Sequence, residues 1–546
     1  MGTFVPNPPV MLKMSSSLIV FSCVALTLFS NGCKRNLATD SETFSTDKTL
    51  SFTETSGSGV AFKEYLGVNA FEWDLTSESA HEQIDPSRLE TMKSFSGMRH
   101  YLDWERIEPT EGAFSYSPAH NGGWDYDLIY QTMKNAGKYV LVDIKTCPSW
   151  LLNSYPANLR DAENVPAPYG LDRSKPASYV KQARAAFQLA ARYGNNKNVD
   201  TTLIFIDPTI RWTGDPRNTK KVGLGTVNYI ECDNERDKWW KGEGTKQTAE
   251  EYAANLSAFY DGDQGRLGKG VGVKNADPNM IVVMGGLADP NPEYVEKMIN
   301  WCAANRGRKA NGQIDLCFDV INYHLYSNDA PTVYGTATKG VAPELSSLKS
   351  VAEKFSALSK SKAGSIPVWV TETGYDVGEH TPQRAIPIGS KSSQVTQADW
   401  NLRTALLYAR TGISKCIFYM LENVDVNSWT QYTSSGFVNP DRSKRPSADY
   451  FLQANKLLGD YYFESSLSND PNVDVYTLNG KKMYVLSVPD QTGRTANYDL
   501  NLGSATQAVI YTPATGQTEM SSRVVDTKNG VVQITVTETP VFVAAK

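Results

Sequence analysis

The sequence predicts an α/β protein: a (β/α)8 TIM-type barrel followed by a small antiparallel β-sandwich. Two observations carry this. Between about residue 60 and residue 457, a short apolar run and a helical pattern alternate eight times. Past residue 458 the helical period stops, and short β-like runs recur between Gly, Asn and Pro.

The eight strand-like runs cover residues 65–71, 98–104, 139–146, 227–231, 280–285, 318–324, 367–372 and 415–420. Several are apolar without alternation, as strands buried on both faces should be. Helical patterns lie between them. Leu402, Ala405, Leu406, Ala409 and Ile413 share one face, and Val180, Ala183, Phe187, Ala190 and Ala191 do much the same. Pro446 opens a last helical stretch carrying Leu452, Leu457 and Leu458. Two long loops are expected, over 147–175 and 199–225. In this architecture the loops at the strand C-terminal ends carry the chemistry, so these two should deepen a cleft there. The sandwich runs are 461–464, 473–478, 483–488, 497–502, 508–512, 531–536 and 540–544. Its expected role is to buttress the barrel.

The N-terminal segment reads as an address. Residues 18–29, LIVFSCVALTLF, have the length of a signal-peptide core and are too short for a comfortable membrane span. Gly32-Cys33 at its end resembles a lipobox, with Cys33 as the lipidated residue; a plain secretory signal is the other reading. Met1, Met11 and Met14 are all candidate starts. The expected divisions are 1–32 signal peptide, 33–58 flexible tether, 59–457 barrel and 458–546 sandwich. The cell envelope, by lipid anchor, or secretion follows as the expected location.

Charge excludes one class of partner. The chain carries 54 basic and 59 acidic side chains in 546 residues, a net charge of −5. No basic stripe exists to neutralise phosphates, so a nucleic-acid partner is not expected. Five His and seven Cys occur without metal-type spacing, and no CxxC is present. Asp261-Gly262-Asp263 hints at a calcium loop, but Arg266 and Gly272 stand where it needs Gly and Glu. With no HExxH, phosphate loop or dinucleotide fingerprint, neither a metal nor a cofactor is expected. The cysteines left after processing read as buried thiols. A monomer is expected.

Two strand ends carry acids. The fourth run leads into Asp233-Asn234-Glu235, and the seventh ends Thr371-Glu372-Thr373-Gly374. A lone Glu at a strand end is often a structural acceptor. A pair facing one pocket is what glycosidic cleavage needs: one carboxyl protonates the leaving oxygen, and the other attacks or activates water. Aromatics, 11% of the chain, fit this chemistry. Trp150, Trp212, Trp239, Trp240 and Trp429 all fall in loops on the catalytic side, where indole faces could stack on sugar C–H patches. Tyr419 could floor the subsite of the cleaved sugar.

Asn234-Glu235 after the fourth strand, with Thr371-Glu372-Thr373-Gly374-Tyr375 after the seventh, resembles clan A of the retaining glycoside hydrolases, closest to families 39 and 5. The resemblance covers the barrel and extends to the trailing sandwich. It implies Glu235 as general acid/base, Glu372 as nucleophile and Asn234 as partner of the sugar 2-hydroxyl. It also implies that Arg99 contacts the nucleophile and that His324 and Tyr326 stand beside it. Arg236 departs from the Pro often found after the acid/base, and Asp233 from the usual aromatic or Gly. Asp233 would raise the pKa of Glu235, or Arg236 would offset it.

The expectation is therefore a retaining β-glycosidase, endo-acting on a polysaccharide or oligosaccharide. Its rivals are a non-catalytic glycan-binding lipoprotein on a degenerate barrel, and an exo-acting glycosidase of the same clan.

Overall fold

The structure, a computed structural model, describes residues 59–120, 123–332 and 335–546. The expected signal peptide, the tether and Cys33 lie outside the described residues.

Eight parallel strands form in chain order: β1 (Leu66–Asn69), β2 (Gly97–Asp103), β3 (Tyr139–Lys145), β4 (Tyr229–Cys232), β5 (Ile281–Met284), β6 (Ile321–His324), β7 (Val368–Glu372) and β8 (Lys415–Phe418). Each falls inside its expected run or within one residue of it. Hydrogen bonding follows the order β5-β4-β3-β2-β1-β8-β7-β6. Single parallel bridges, Val283–Val320 and Leu287–Tyr323, then join β5 to β6 and bring the sheet round into a barrel.

The interior is layered, because alternate residues of each strand point inward. Near the strand N-termini, the buried Lys415 Nζ lies 4.2 Å from the ring of Tyr139 and donates to Glu64 O at 2.8 Å. Burial pulls its pKa down to about 8. Above it Leu141, Val283, Val320, Trp369 and Ile417 form an apolar plug. Above the plug the filling turns polar: Arg99, Asp143, Glu231, Asn322 and Thr371 are all fully buried. The barrel floor is thus closed, and polar chemistry is confined to the strand C-terminal end.

Helices cover the outside. Val180–Tyr193 and Ser393–Arg410 carry the apolar faces expected of them. Ala249–Asp261 starts in a capping box between Thr248 and Glu251 and stops at Gly262, whose φ of 65° suits glycine. Pro446–Leu458 begins at its proline, as expected, and is the last helix before the C-terminal strands.

Those strands are β9 (Tyr462–Asn469), β10 (Asn472–Leu478), β11 (Lys481–Ser487), β12 (Ala496–Asn501), β13 (Gln507–Thr512), β14 (Ser521–Asp526), β15 (Val531–Val536) and β16 (Val541–Ala545). Six make a sheet in the order β14-β13-β16-β11-β10-β9, and β12 pairs with β15 separately. Val473, Leu486, Leu500, Ile510, Ile534 and Val543 fill the space between the two layers. Strand β14 was not expected. Its sequence, SSRVVD, is nearly all exposed and shows no apolar face; it exists as an edge through its ladder with β13. The opposite face of the larger sheet supplies Phe463, Tyr476, Met483, Val485 and Phe542 to the same apolar core as the barrel. Arg410 reaches across from its helix to Asp474 at 2.9 Å.

Cys147, Cys232, Cys302, Cys317 and Cys416 are buried free thiols, as expected.

Candidate active site

Strand period places the first two functional groups. Arg99 and Tyr101 are two residues apart on β2, so both point into the barrel. Arg99 Nε donates to Glu231 Oε2 at 2.7 Å, and Nη2 donates to Glu231 Oε1 at 3.0 Å and to Asp143 Oδ2 at 3.2 Å. Nη1 donates to Glu372 Oε1 at 2.9 Å and to Asn69 Oδ1 at 3.1 Å. One planar fork therefore ties β1, β2, β3, β4 and β7 together and orients Glu372.

Glu372 is held on both oxygens. Its Oε1 also accepts from the Tyr101 hydroxyl, and its Oε2 accepts from Tyr326 at 3.0 Å. Burial pushes this carboxyl up. The charges of His324 and Arg99, with the two hydroxyls, more than offset that, so its pKa lies below the ordinary glutamate value. A group so arranged stays ionised.

Glu235 sits opposite in a different setting. The β6–β7 register shifts between Tyr323 and His324, which makes His324 the Cα partner of Glu372. His324 Nδ1 lies 2.8 Å from Glu235 Oε1 and 3.7 Å from Glu372 Oε1. Its Nε2 pairs with Thr371 Oγ1 at 3.1 Å. Burial pulls the imidazole pKa down, and the two carboxylates push it up past its ordinary value. The facing oxygens of Glu235 and Glu372 approach within 4.8 Å.

The loop bearing Glu235 is strained and braced. Asp233 and Glu235 have φ of 65° and 52°, a region non-glycine residues rarely enter. Glu235 N donates to Gly286 O at 3.1 Å. Arg236 Nη1 pairs with Asp233 Oδ2 at 2.8 Å, and its Nη2 donates to Glu163 O at 2.7 Å. Asp233 is thus neutralised locally by Arg236, its Oδ1 taking Asn234 N at 2.8 Å. Asp237 accepts from Ala288 N at 3.0 Å and Asp289 N at 2.8 Å, with burial pushing its carboxyl up to about 6. Asn234 Oδ1 accepts from Arg99 at 2.9 Å, and the Tyr101 hydroxyl oxygen lies 3.2 Å from it. Its NH2 end is then the one left to address a ligand.

The expected aromatics divide. Trp429 is 72% exposed and stacks on His380 with centroids 4.3 Å apart. Trp239 and Trp240 meet edge to face, both exposed, just past Glu235. Trp212 is exposed in the 199–225 insertion with Arg211 over its ring. Tyr419 lies in the field of Glu372, Arg99 and Glu235. Trp150 is different: its Nε1 donates to Glu108 O at 2.8 Å and its ring packs against Trp104. It is half-buried in the short helix Ser149–Leu152, with Lys181 Nζ 5.0 Å from its ring.

Several site groups were not expected. Tyr101 was legible as the second residue past Arg99 on an inward strand face. Glu231 and Asp143 read as ordinary strand residues, and nothing in the sequence marks them as partners of Arg99. Tyr432, 4.2 Å from the Tyr326 ring and in the field of Glu235, lies in a loop with no periodic signal.

Glu235, His324 and Glu372 are also, among the described residues, the one His/Cys/Asp/Glu group converging closely enough to hold a metal ion. The same atoms already engage one another and Arg99.

No protein-family model matches the chain, and no curated protein matches it by sequence. Solved structures do. A family 39 glycoside hydrolase from the gut symbiont Bacteroides cellulosilyticus WH2 aligns over 89% of this chain and 82% of its own, with 17% identity and a TM-score of 0.58. A GH30 xylanase C catalytic domain from Talaromyces cellulolyticus aligns over 90% and 98%, with 12% identity and a TM-score of 0.53. A GH30 endoxylanase from Clostridium papyrosolvens C71 aligns over 90% and 98%, with 14% identity and a TM-score of 0.51. The fold of this chain, barrel and sandwich together, is the fold of these proteins.

Proposed function

We propose that the protein is a retaining β-glycoside hydrolase of the clan A type, endo-acting on a β-linked polysaccharide, with Glu372 as nucleophile and Glu235 as general acid/base. The observation that carries this reading is the carboxylate pair at the ends of β4 and β7, with oxygens within 4.8 Å of each other. Retaining enzymes hold their two carboxyls about 5–5.5 Å apart, whereas inverting ones need about 6.5–9.5 Å to admit a water between them.

The two carboxyls take two tasks. Glu372, kept anionic, attacks the anomeric carbon while Glu235 gives its proton to the departing glycosidic oxygen. A glycosyl ester forms on Glu372, and the negative charge at that position disappears. Glu235, now ionised, takes a proton from water, which attacks the same carbon and frees Glu372. Arg99, Tyr101 and Tyr326 hold the nucleophile on line throughout. The Asn234 amide is positioned for the 2-hydroxyl of the ring under attack.

The long loop over 147–175 and the exposed Trp239 and Trp429, which follow β4 and β8, favour a chain-binding cleft over a blind pocket. The N-terminal segment ending at Cys33 supports a lipid-anchored envelope enzyme. Turnover on a panel of β-glucan, xylan, mannan and galactan, with NMR of the first product, tests the reading. Retained anomeric configuration is expected, and an inverted product would overturn the role of Glu372. Monosaccharide as the only product from the start would overturn the endo mode.

A further inference from the structure

A row of aromatic rings leads away from the nucleophile. Tyr101, whose hydroxyl holds Glu372, has its ring 5.7 Å from that of Phe71. Phe71 stacks face to face on Trp73, centroids 4.7 Å apart and planes 6° from parallel. Trp73 in turn leans on Trp124 at 6.5 Å, and Trp124 is itself buried beneath Arg106 and His81. Phe71 and Trp73 lie in the segment directly after β1, so they stand at the same barrel end as the two acids.

Trp73 is the exposed member of this row. It remains 47% accessible although Phe71 backs one face and Trp124 supports it from the side. Held by a parallel ring on one side, the indole is presented in a fixed orientation with much of its surface open to a ligand. Its short helix is also fixed: Asp74 Oδ2 accepts from Phe71 N at 2.9 Å, which locks the turn that presents the ring.

Resting on the glycosidase reading above, we propose that Trp73 is a stacking platform for the substrate sugar next to the one being cleaved, on its non-reducing side. Position supplies the side. The row starts at Tyr101, which grips Glu372 and Asn234, the groups that address the sugar under attack. Glu235, which must meet the leaving group, is reached from His324 instead. The occupant is a pyranose with a continuous C–H face, which the electron-rich indole face attracts.

The test uses p-nitrophenyl β-glycosides bearing one, two and three units of whichever sugar the wild type cleaves in the panel. The aryl leaving group stays constant, so each added sugar lies on the non-reducing side. Wild type should gain in kcat/KM on going from one sugar to two. Trp73→Ala should lose most of that gain, on the order of tenfold or more as for a buried aromatic anchor. Trp73→Phe should keep much of it. Thermal unfolding of each variant controls for folding. A Trp73→Ala enzyme with the full gain, or a wild type with none, overturns the platform. Failure of the platform alone leaves azide rescue of Glu372→Ala intact. A wild type that cleaves nothing in the panel overturns both.

Discussion

Arg99 on β2 donates to Glu372 on β7 at 2.9 Å, while the rest of its guanidinium holds Glu231 and Asp143. One cation thus faces three carboxylates in the polar layer of the barrel. Burial pushes the Asp143 carboxyl up, against the pull of Arg99.

Removing that cation should be severe. Arg99→Met should lower stability by about 3–5 kcal/mol, because it leaves buried carboxylates unpaired. Differential scanning fluorimetry would show it as a large fall in Tm. Arg99→Lys should recover only part, since an ammonium cannot span all three partners. A Tm within experimental scatter of wild type would contradict the arrangement.

The two acids should fail differently. Glu372→Ala should abolish hydrolysis, and azide should rescue it as a glycosyl azide of inverted configuration. Glu235→Ala should lose roughly 10²–10⁴-fold on substrates with poor leaving groups. It should keep far more on activated aryl glycosides, which need no proton. Equal losses on both substrate types would count against Glu235 as the acid.

The Tyr101 hydroxyl should be visible in a pH profile. Glu372 has a depressed pKa, so it stays ionised until pH falls through a value below the ordinary 4.5. The acid limb of kcat/KM should therefore lie below that value. Tyr101→Phe deletes a donor to the anion, so the Glu372 pKa rises and the acid limb moves to higher pH. An unmoved limb would show that the hydroxyl does not hold the carboxylate.

Gly286 should be intolerant of a methyl group. A Cβ there would stand 2.0 Å from His324 Nε2, and the imidazole is fully buried with no room to retreat. Gly286→Ala should displace His324 from Glu235 and cut kcat strongly. A crystal structure of the variant with His324 unmoved would refute this.

The strands and their end residues were legible because both depend on local pattern. Buried parallel strands need uninterrupted apolar runs, and an acid directly after such a run must lie at the chemical end of a barrel. That is enough to single out Glu235 and Glu372 as a pair; Arg99 was implied by the resemblance to clan A and not by the strand pattern. Edge strand β14 was not legible, since it is nearly all exposed and its existence rests on β13 beside it.

The remainder belongs to tertiary structure. Glu231, Asp143 and Tyr432 have no local signature; they matter only because barrel closure carries them to Arg99 and to the acids. The fate of each tryptophan was decided the same way. Trp150, Trp429 and Trp73 are equally apolar in sequence, yet loop packing half-buried the first and left the other two exposed. By itself, then, the sequence determined the strands, their order and the residues at their ends, through period and composition. Closure of the sheet decided which of those residues meet, because contacts between groups more than a hundred positions apart depend on register and not on neighbours in the chain.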